Sequence, residues 1–428
     1  MGEADTIYAL SSGSPPAAIA IVRISGAQAG AAMSGLAGRL PQERRASLGA
    51  LRDPRSGELL DRGLMLWFPG PDSSTGEDLA ELHLHGGRSV VAAVLGALGR
   101  IEGLRAAEPG EFTRRAFENG RIDLAEAEGL ADLLTAETHS QRRAALMLAG
   151  GALSRMVEDW QRTLLGLSAQ LEAVLDFSDE GDVEEQLPLE WSGALTSLAA
   201  DMGAVLDRPP AERLRDGLRL VIAGPPNVGK STLLNALVGR EAAITSPIPG
   251  TTRDLVEAPT AIGGVPFLLV DTAGLRESGD EIETIGVNRA HQSLAAADLV
   301  LWLGDPGDCP DRSRAILVQP KADLNNTARP ADLVLSARTG EGMDELVRLL
   351  IERAKVLLPS DGEVAVNARH SAILRECLAS LEAAASAQNS LVASEELRLA
   401  RASLDRVTGR AGVEDMLDAL FGGFCIGK

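Results

Sequence analysis

Apolar positions change rhythm several times along this chain, and each change marks a different kind of element. Residues 1–120 carry short apolar runs broken by glycine and proline. The runs at 18–24, 64–68 and 79–84 predict strands and 90–98 predicts a helix, so this stretch reads as a mixed α/β domain. Residues 123–177 are rich in Ala, Leu and Glu, contain no proline, and repeat apolar positions three and four apart. That spacing predicts long helices packed as a bundle. Residues 218–358 change again. The segments LRLVIAG, VPFLLV, DLVLWL, AILVQ and DLVLSA are short apolar strands separated by helical or loop segments. They predict a parallel sheet covered by helices. After Pro359 the helical pattern returns as far as Leu420. The expected fold is a multidomain α/β plus all-α chain. It has an N-terminal α/β domain (1–120), a helical domain in two parts (121–212 and 361–428), and an α/β domain (213–360) inserted in the helical one. Arg208-Pro-Pro210 and the LPSDG run at 358–362 are the expected crossings.

The bulk numbers narrow this picture. At roughly 100–200 residues per domain, 428 residues fit two to four domains. Aromatic residues are only 3% of the chain, so its cores must be built mainly from Leu, Ala and Val. The net charge of −20 argues against a non-specific nucleic-acid binder, which needs a basic face to displace counterions. A local basic groove on an acidic protein stays compatible with RNA, and membrane-surface binding is disfavoured. Cys309, Cys377 and Cys425 are far apart and odd in number, giving no disulfide framework and no zinc spacing. A reducing, cytoplasmic setting is expected. The start MGEADTIYAL has neither a basic leader nor a long apolar run, and no membrane span is read. Gly2 with Thr6, and Cys425 four residues from the end, imitate lipidation motifs. Acidic neighbours in the first case, and Gly427 and a final Lys428 in the second, argue against both.

The strongest chemistry lies in Gly224-x-x-x-x-Gly229-Lys230-Ser231, which joins an apolar strand to the helix TLLNALVG. In that context the glycines let backbone N–H groups face phosphate oxygens. Lys230 reaches the β- and γ-phosphates and Ser231 offers a hydroxyl to Mg²⁺. Four further elements follow in order. Pro249-Gly-Thr-Thr-Arg-Asp254 lies where a first switch is expected. Asp271-Thr-Ala-Gly274 ends a strand, its Asp suited to the metal's water shell and Gly274 to the γ-phosphate. Lys321-Ala-Asp323 supplies a carboxylate for the two N–H donors of guanine, and Ser336-Ala-Arg338 backs the base. The expected GTP contacts are Asn227, Val228, Gly229, Lys230, Ser231 and Thr232 from the loop. Ser246, Pro247, Ile248, Pro249, Gly250, Thr251 and Thr252 come from the switch, and Asp271, Thr272, Ala273 and Gly274 from the second element. Lys321, Asp323, Ser336, Ala337 and Arg338 complete the base end.

Two positions depart from the GTPase pattern. Pro320 stands where an Asn is usual, removing a side-chain amide whose hydrogen bond is worth roughly 0.5–1.5 kcal/mol. Leu275 stands where Ras-like enzymes carry a Gln that orients water. Outside this region His83 and His85 alternate along a strand, but two ligands without a third do not make a metal site, and a structural role is expected. Taken alone, Arg23 and Arg121 read as surface charges, Glu283 as one acid in an acidic stretch, and Cys425 as a small packed residue.

With GPPNVGKSTLLNAL, PGTTRD, DTAGLRE, IGVNRA and LSARTGEG inside the GTPase, and DTIYAL, IAIVRISG, STGEDLAELHLHGG, EPGEFTRRAFENGRIDLAEAEGLADL and FCIGK outside it, the chain resembles the tRNA wobble-uridine modification GTPases of the MnmE/TrmE family. The likeness runs over essentially the whole length. It implies an N-terminal folate-binding and dimerisation domain, a helical bundle, and a Ras-like P-loop GTPase domain inserted in the latter. The implied activity is GTP hydrolysis coupled to adding an aminomethyl or carboxymethylaminomethyl group at C5 of the wobble uridine of tRNA. The carbon would come from 5,10-methylene- or 5-formyl-tetrahydrofolate. Implied partners are a second copy of the chain, tRNA, and a flavin-dependent protein that carries FAD and completes a heterotetramer. By motif match, Arg23, Glu81, Arg121 and Lys428 correspond to folate contacts. Ser231 and Thr252 correspond to Mg²⁺ ligands. Asn227, with backbone groups near Ser246, Ile248 and Thr251, corresponds to a K⁺ site. Glu283 matches an acid that positions water, and Cys425 the cysteine of the terminal motif, the two catalytic candidates. Departures are SGSPPAAIA, Ser74 in place of an aromatic, Ser246 in place of Thr, and a short 298–320 segment. The alternative function is a ribosome-assembly or RNA-binding switch GTPase. That class usually appends a basic RNA-binding module, whereas this chain ends in acidic helices and CIGK.

Overall fold

The computed structural model describes residues 5–177, 189–240, 257–271, 292–324, 330–360, 362–410 and 414–428. Contacts divide the chain into two compact units, one formed by residues up to 131 together with 408–428, the other by 132–407.

The first unit is built on a six-stranded sheet of order β3-β4-β5-β2-β1-β6. Its strands are β1 (Thr6–Leu10), β2 (Ile19–Ser25), β3 (Ser47–Arg52), β4 (Leu59–Phe68), β5 (Leu79–His85) and β6 (Leu104–Ala106). Neighbours run antiparallel except β1 and β6, which are parallel. Because successive side chains point to opposite faces, Ala20, Val22 and Ile24 of β2 and Ala80, Leu82 and Leu84 of β5 share one buried face. There they meet Met33 and Leu36 of α1 (Ala29–Ala37) and Val91, Val94 and Leu98 of α2 (Arg88–Leu98). On the opposite face Ile7, Ala9 and Leu79 pack with Phe112 of α3 (Glu111–Glu118).

The end of the chain belongs to this unit. Leu124 and Ala127 of α4 (Leu124–Thr135) form a cluster with Leu417 and Phe421 of the C-terminal helix Glu414–Gly422 and with Phe424. The Phe421 ring lies 6.3 Å from Phe117 and 6.1 Å from Phe424, centroid to centroid. Beyond it Ile426 bridges to Pro109, and the Phe112 N–H donates to the Lys428 carbonyl at 3.2 Å.

The second unit holds the helical bundle and the second sheet. Helices α6 (Ala152–Phe177), α7 (Leu189–Leu206), α11 (Ala368–Ser386) and α12 (Ser390–Val407) bury Leu164, Leu195, Leu381 and Leu404 between them. Polar ties fix their register: Trp191 Nε1 donates to the Leu167 carbonyl at 2.9 Å and Gln161 Nε2 to Asp405 Oδ1 at 2.8 Å. Cys377 is fully buried in this bundle, and burial pushes its thiol up to about 12.

The second sheet has the order β12-β11-β10-β7-β9-β8. Its strands are β7 (Leu218–Ala223), β8 (Glu257–Ile262), β9 (Val265–Asp271), β10 (Leu299–Trp302), β11 (Ala315–Gln319) and β12 (Leu333–Val334). Its core joins Leu220, Ile222, Phe267 and Leu301 to Leu346 and Leu350 of α10 (Met343–Leu357). The sheet is not wholly parallel as the apolar pattern predicted: β8 runs antiparallel to β9. Gly263 and Gly264, at φ +57° and +81°, close that hairpin with the left-handed two-residue turn that strand twist favours. Pro259 is tolerated because β8 is an edge strand.

Helix α5 (His139–Ala149) links bundle and sheet within this unit. A capping box of Thr138 and Gln141 starts it. Gln141 Nε2 also donates to the carbonyl of Arg215, the last residue of α8 (Ala211–Arg215), at 3.0 Å, and Ser140 Oγ donates to the Gly264 carbonyl at 3.4 Å.

Candidate nucleotide-binding site

Strand β7 lies between β10 and β9, so the loop leaving its C-terminal end opens where strand order reverses, the usual ligand position in such sheets. Residues 224–229 turn there into α9 (Lys230–Arg240). Gly224, Asn227 and Gly229 take φ of +144°, +60° and +113°. At Gly224 a Cβ would also lie 3.1 Å from the Gly304 nitrogen, so only glycine fits. Lys230 is buried, and its Nζ donates to the carbonyls of Gly224 and Pro225 at 3.1 and 3.0 Å. The turn therefore presents an ammonium and a helix N-terminus on one concave surface, the electrostatics an anion needs.

Asp271 is the register partner of Ile222, which sets its carboxylate beside the first turn of α9. Ser231 Oγ donates to Asp271 Oδ2 at 2.7 Å, and Asp271 is buried. A hydroxyl and a buried carboxylate converging next to a phosphate-type turn are a donor set that suits Mg²⁺, which takes oxygen ligands and keeps several waters.

Further along the same sheet edge is a cavity of about 190 Å³. It is lined by Val228, Gly229, Thr232, Pro320, Lys321, Asp323, Ser336, Ala337 and Arg338, among others. Lys321, at φ +61°, extends its Nζ to the Asn227 carbonyl at 2.9 Å and ties this loop to the phosphate turn. Ser336, 1% exposed, donates from Oγ to Asp323 Oδ1 at 2.7 Å and accepts from the Thr339 N–H at 3.2 Å. The Ser336 hydroxyl holds the Asp323 carboxyl below its ordinary range, keeping it an acceptor. The expected residues Asn227–Thr232, Asp271, Lys321, Asp323 and Ser336–Arg338 thus lie along one edge of one sheet. Ser246, Pro247, Ile248, Pro249, Gly250, Thr251, Thr252, Thr272, Ala273, Gly274 and Glu283 lie outside the described residues.

In the first unit Arg23 and Glu81 face each other across β2 and β5, with Arg23 Nε donating to Glu81 Oε1 at 2.8 Å. They share a sheet face with Ala9, the register partner of Arg23, and so with the face that α3 covers. Arg121 lies 3.7 Å from Asp72 Oδ1. Lys428 is held through its backbone by Phe112, and Cys425 is exposed.

Sequence reasoning missed one polar network here. Arg115, 7% exposed, bonds Glu77 at 3.0 Å and Glu111 at 3.0 Å; Glu111 also takes Arg105, and Glu77 takes the Ser25 hydroxyl at 2.8 Å. Burial raises the Glu111 carboxyl, but the hydrogen bonds from Arg105, the Glu108 N–H and Arg115 outweigh it and leave it lowered. The four-residue step from Glu111 to Arg115 was the available signal; its long-range partners had none.

Family models span nearly the whole chain. Residues 6–121 match one described as GTP-binding protein TrmE N-terminus, and residues 124–425 one described as MnmE helical domain. The chain is similar to a tRNA modification GTPase MnmE of Rhizorhabdus wittichii, 60% identical over 99% of this chain and 97% of that one. It is also similar to one of Erythrobacter litoralis, 57% identical over 99% of this chain and 100% of the other. Among solved structures, Aquifex aeolicus Era bound to GDP.AlF4- is 26% identical, covering 38% of this chain and 66% of that one, with a TM-score of 0.24, too low to carry any argument.

Proposed function

Since the chain belongs to the MnmE/TrmE family of tRNA modification GTPases, we propose that GTP hydrolysis at the start of α9 drives modification of the wobble uridine of tRNA. The product is an aminomethyl or carboxymethylaminomethyl group at C5, its carbon taken from a tetrahydrofolate, made together with a flavin-dependent partner. The observation that carries this reading is the alignment of a phosphate turn, the Ser231–Asp271 pair and the Asp323–Ser336 pair along one sheet edge.

In this reading Lys230 leaves the loop carbonyls to meet the β- and γ-phosphates, and the loop N–H groups hold the remaining oxygens. Ser231 and Asp271, with Thr252, would hold Mg²⁺, whose chemistry is to neutralise charge on the transferring phosphoryl group. Asn227, with backbone groups near Ser246, Ile248 and Thr251, would hold K⁺. Asp323 accepts from the two guanine N–H donors while Ser336 fixes its rotamer. Leu275 has no group to orient water, so that role falls to Glu283.

The second site uses Arg121 and Lys428 for folate carboxylates, Glu81 for the pterin N–H donors, and Arg23, held against Glu81, for an acceptor atom of the same ring. The seating of the tail on α3, in the same unit as the Arg23–Glu81 pair, supports this. Cys425 is the candidate for covalent or positioning work near the one-carbon unit. A homodimer, acting on tRNA in the cytoplasm with an FAD-bearing partner, completes the proposal.

The test is mass analysis of wobble nucleosides from cells lacking this chain, and from the same cells given the wild type or Lys230→Ala. The modified uridine is expected to vanish, to return with the wild type, and to stay absent with the variant. Unchanged nucleosides in the deletion would remove the modification role.

A further inference from the structure

Both carboxylate oxygens of Glu81 are engaged by side chains of its own sheet face. Oε1 accepts from Arg23 Nε at 2.8 Å, and Oε2 lies 3.2 Å from His83 Nε2. The geometry is set by register: Arg23 stands opposite Glu81, and His83 follows Glu81 by two residues, so all three side chains share a face. Glu81 is the most enclosed of them, at 13% side-chain exposure against 29% for Arg23 and 24% for His83. An ionised carboxylate only accepts, so the His83 contact requires the proton on Nε2.

This arrangement has an alternative that the sequence equally permits. Arginine and glutamate facing each other across two strands favour the two-pronged pairing in which both carboxylate oxygens take guanidinium N–H groups. That pairing would spend the recognition groups of Arg23 and Glu81 on each other. Here His83 holds Oε2, and Arg23 is joined through Nε alone.

We propose that His83 is a positioning residue for ligand recognition at the Arg23–Glu81 pair. It keeps the Glu81 carboxylate turned so that its remaining lone pairs meet the amino and ring N–H donors of a reduced pterin. By the same contact it keeps the Nη donors of Arg23 for an acceptor atom of the same ring. The inference rests on the folate reading of this site and assigns a task to a histidine whose sequence context points to a merely structural role.

The experiment is calorimetric titration of 5-formyl-tetrahydrofolate into the full-length protein as wild type, Glu81→Ala, His83→Leu and His83→Gln. Glu81→Ala is expected to lose binding. His83→Leu, which removes one hydrogen bond to a charged group, is expected to weaken binding about tenfold. His83→Gln, whose amide N–H reaches the same oxygen, is expected to stay within about threefold of wild type. A wild type that does not bind the folate, or Glu81→Ala that binds normally, overturns the folate reading and the inference with it. If Glu81→Ala loses binding but His83→Leu does not, or if His83→Gln is as weak as His83→Leu, the folate reading stands and the positioning role is wrong.

Discussion

Gly427 is the position at which a single methyl group is expected to undock the end of the chain. Its φ is +94°, and a Cβ built there would lie 2.2 Å from the Leu10 carbonyl oxygen and 2.9 Å from the Ser11 Cα. Both neighbours are backbone, so no side-chain rotation relieves the contact. Holding alanine in a left-handed conformation costs about 1–2 kcal/mol, and overpacking adds about 1–3 kcal/mol. Against this stand the Phe112-to-Lys428 hydrogen bond and the Ile426–Pro109 bridge, worth about 0.5–1.5 kcal/mol each. Ile426 is 59% exposed and adds little burial. The cost exceeds the gain, so Gly427→Ala is expected to release residues 425–428. Release should stop at Phe424, which is 6% exposed and packed on Phe421. Hydrogen exchange of the Phe112 amide is expected to accelerate, while the Phe421 cluster stays protected. Wobble-uridine modification, followed by nucleoside mass analysis in complemented cells, is expected to fail while GTP hydrolysis continues. A Phe112 amide as protected as in the wild type, with normal modified uridine, would refute the reasoning.

Four further outcomes are expected. GTP turnover is expected to be faster in KCl than in NaCl at equal ionic strength, and Asn227→Ala to erase the difference; equal wild-type rates would dismiss a K⁺ site. Asp323→Asn is expected to exchange guanine for xanthine preference in nucleotide titrations, because the amide replaces an acceptor by a donor; a variant that still prefers GTP would contradict the Asp323 assignment. Pro320→Asn returns an amide to the base cavity and is expected to tighten GTP binding by about 0.5–1.5 kcal/mol, a gain that equal dissociation constants would deny. The buried Cys377 thiol is raised to about 12 from an ordinary value of 9.0. Its protonated form is favoured by folding, so its contribution is complete below about pH 9 and lost as pH rises toward 12. Urea unfolding between pH 8 and 11 should therefore show a steeper loss of stability for the wild type than for Cys377→Ala; identical slopes would count against burial as the cause.

What the chain determined by itself was local. The spacing Gly224-x-x-x-x-Gly229-Lys230-Ser231 between an apolar strand and a helix specifies a phosphate turn, because backbone conformation over eight residues depends on those residues. Asp271, Lys321, Asp323 and Ser336 were legible for a related reason: each sits at or just beyond the end of a short apolar strand, and parallel strands deliver such ends to one edge. The tertiary structure decided what depends on register and return of the chain. That β8 turns back antiparallel on β9 follows from Gly263 and Gly264 at left-handed φ, which an apolar pattern containing Pro259 does not announce. Arg23 and Glu81 are 58 residues apart, and only the pairing of β2 with β5 makes them neighbours. A shift of that register by one residue would send Glu81 and His83 together to the opposite face and leave Arg23 no carboxylate to meet. Likewise Glu77 meets Arg115, and Lys428 meets Phe112, through folding across dozens to hundreds of residues. Sequence carries the local geometry of such a protein because short-range sterics act within a few residues. Which distant charges come together is settled only when the sheet closes and its faces are covered.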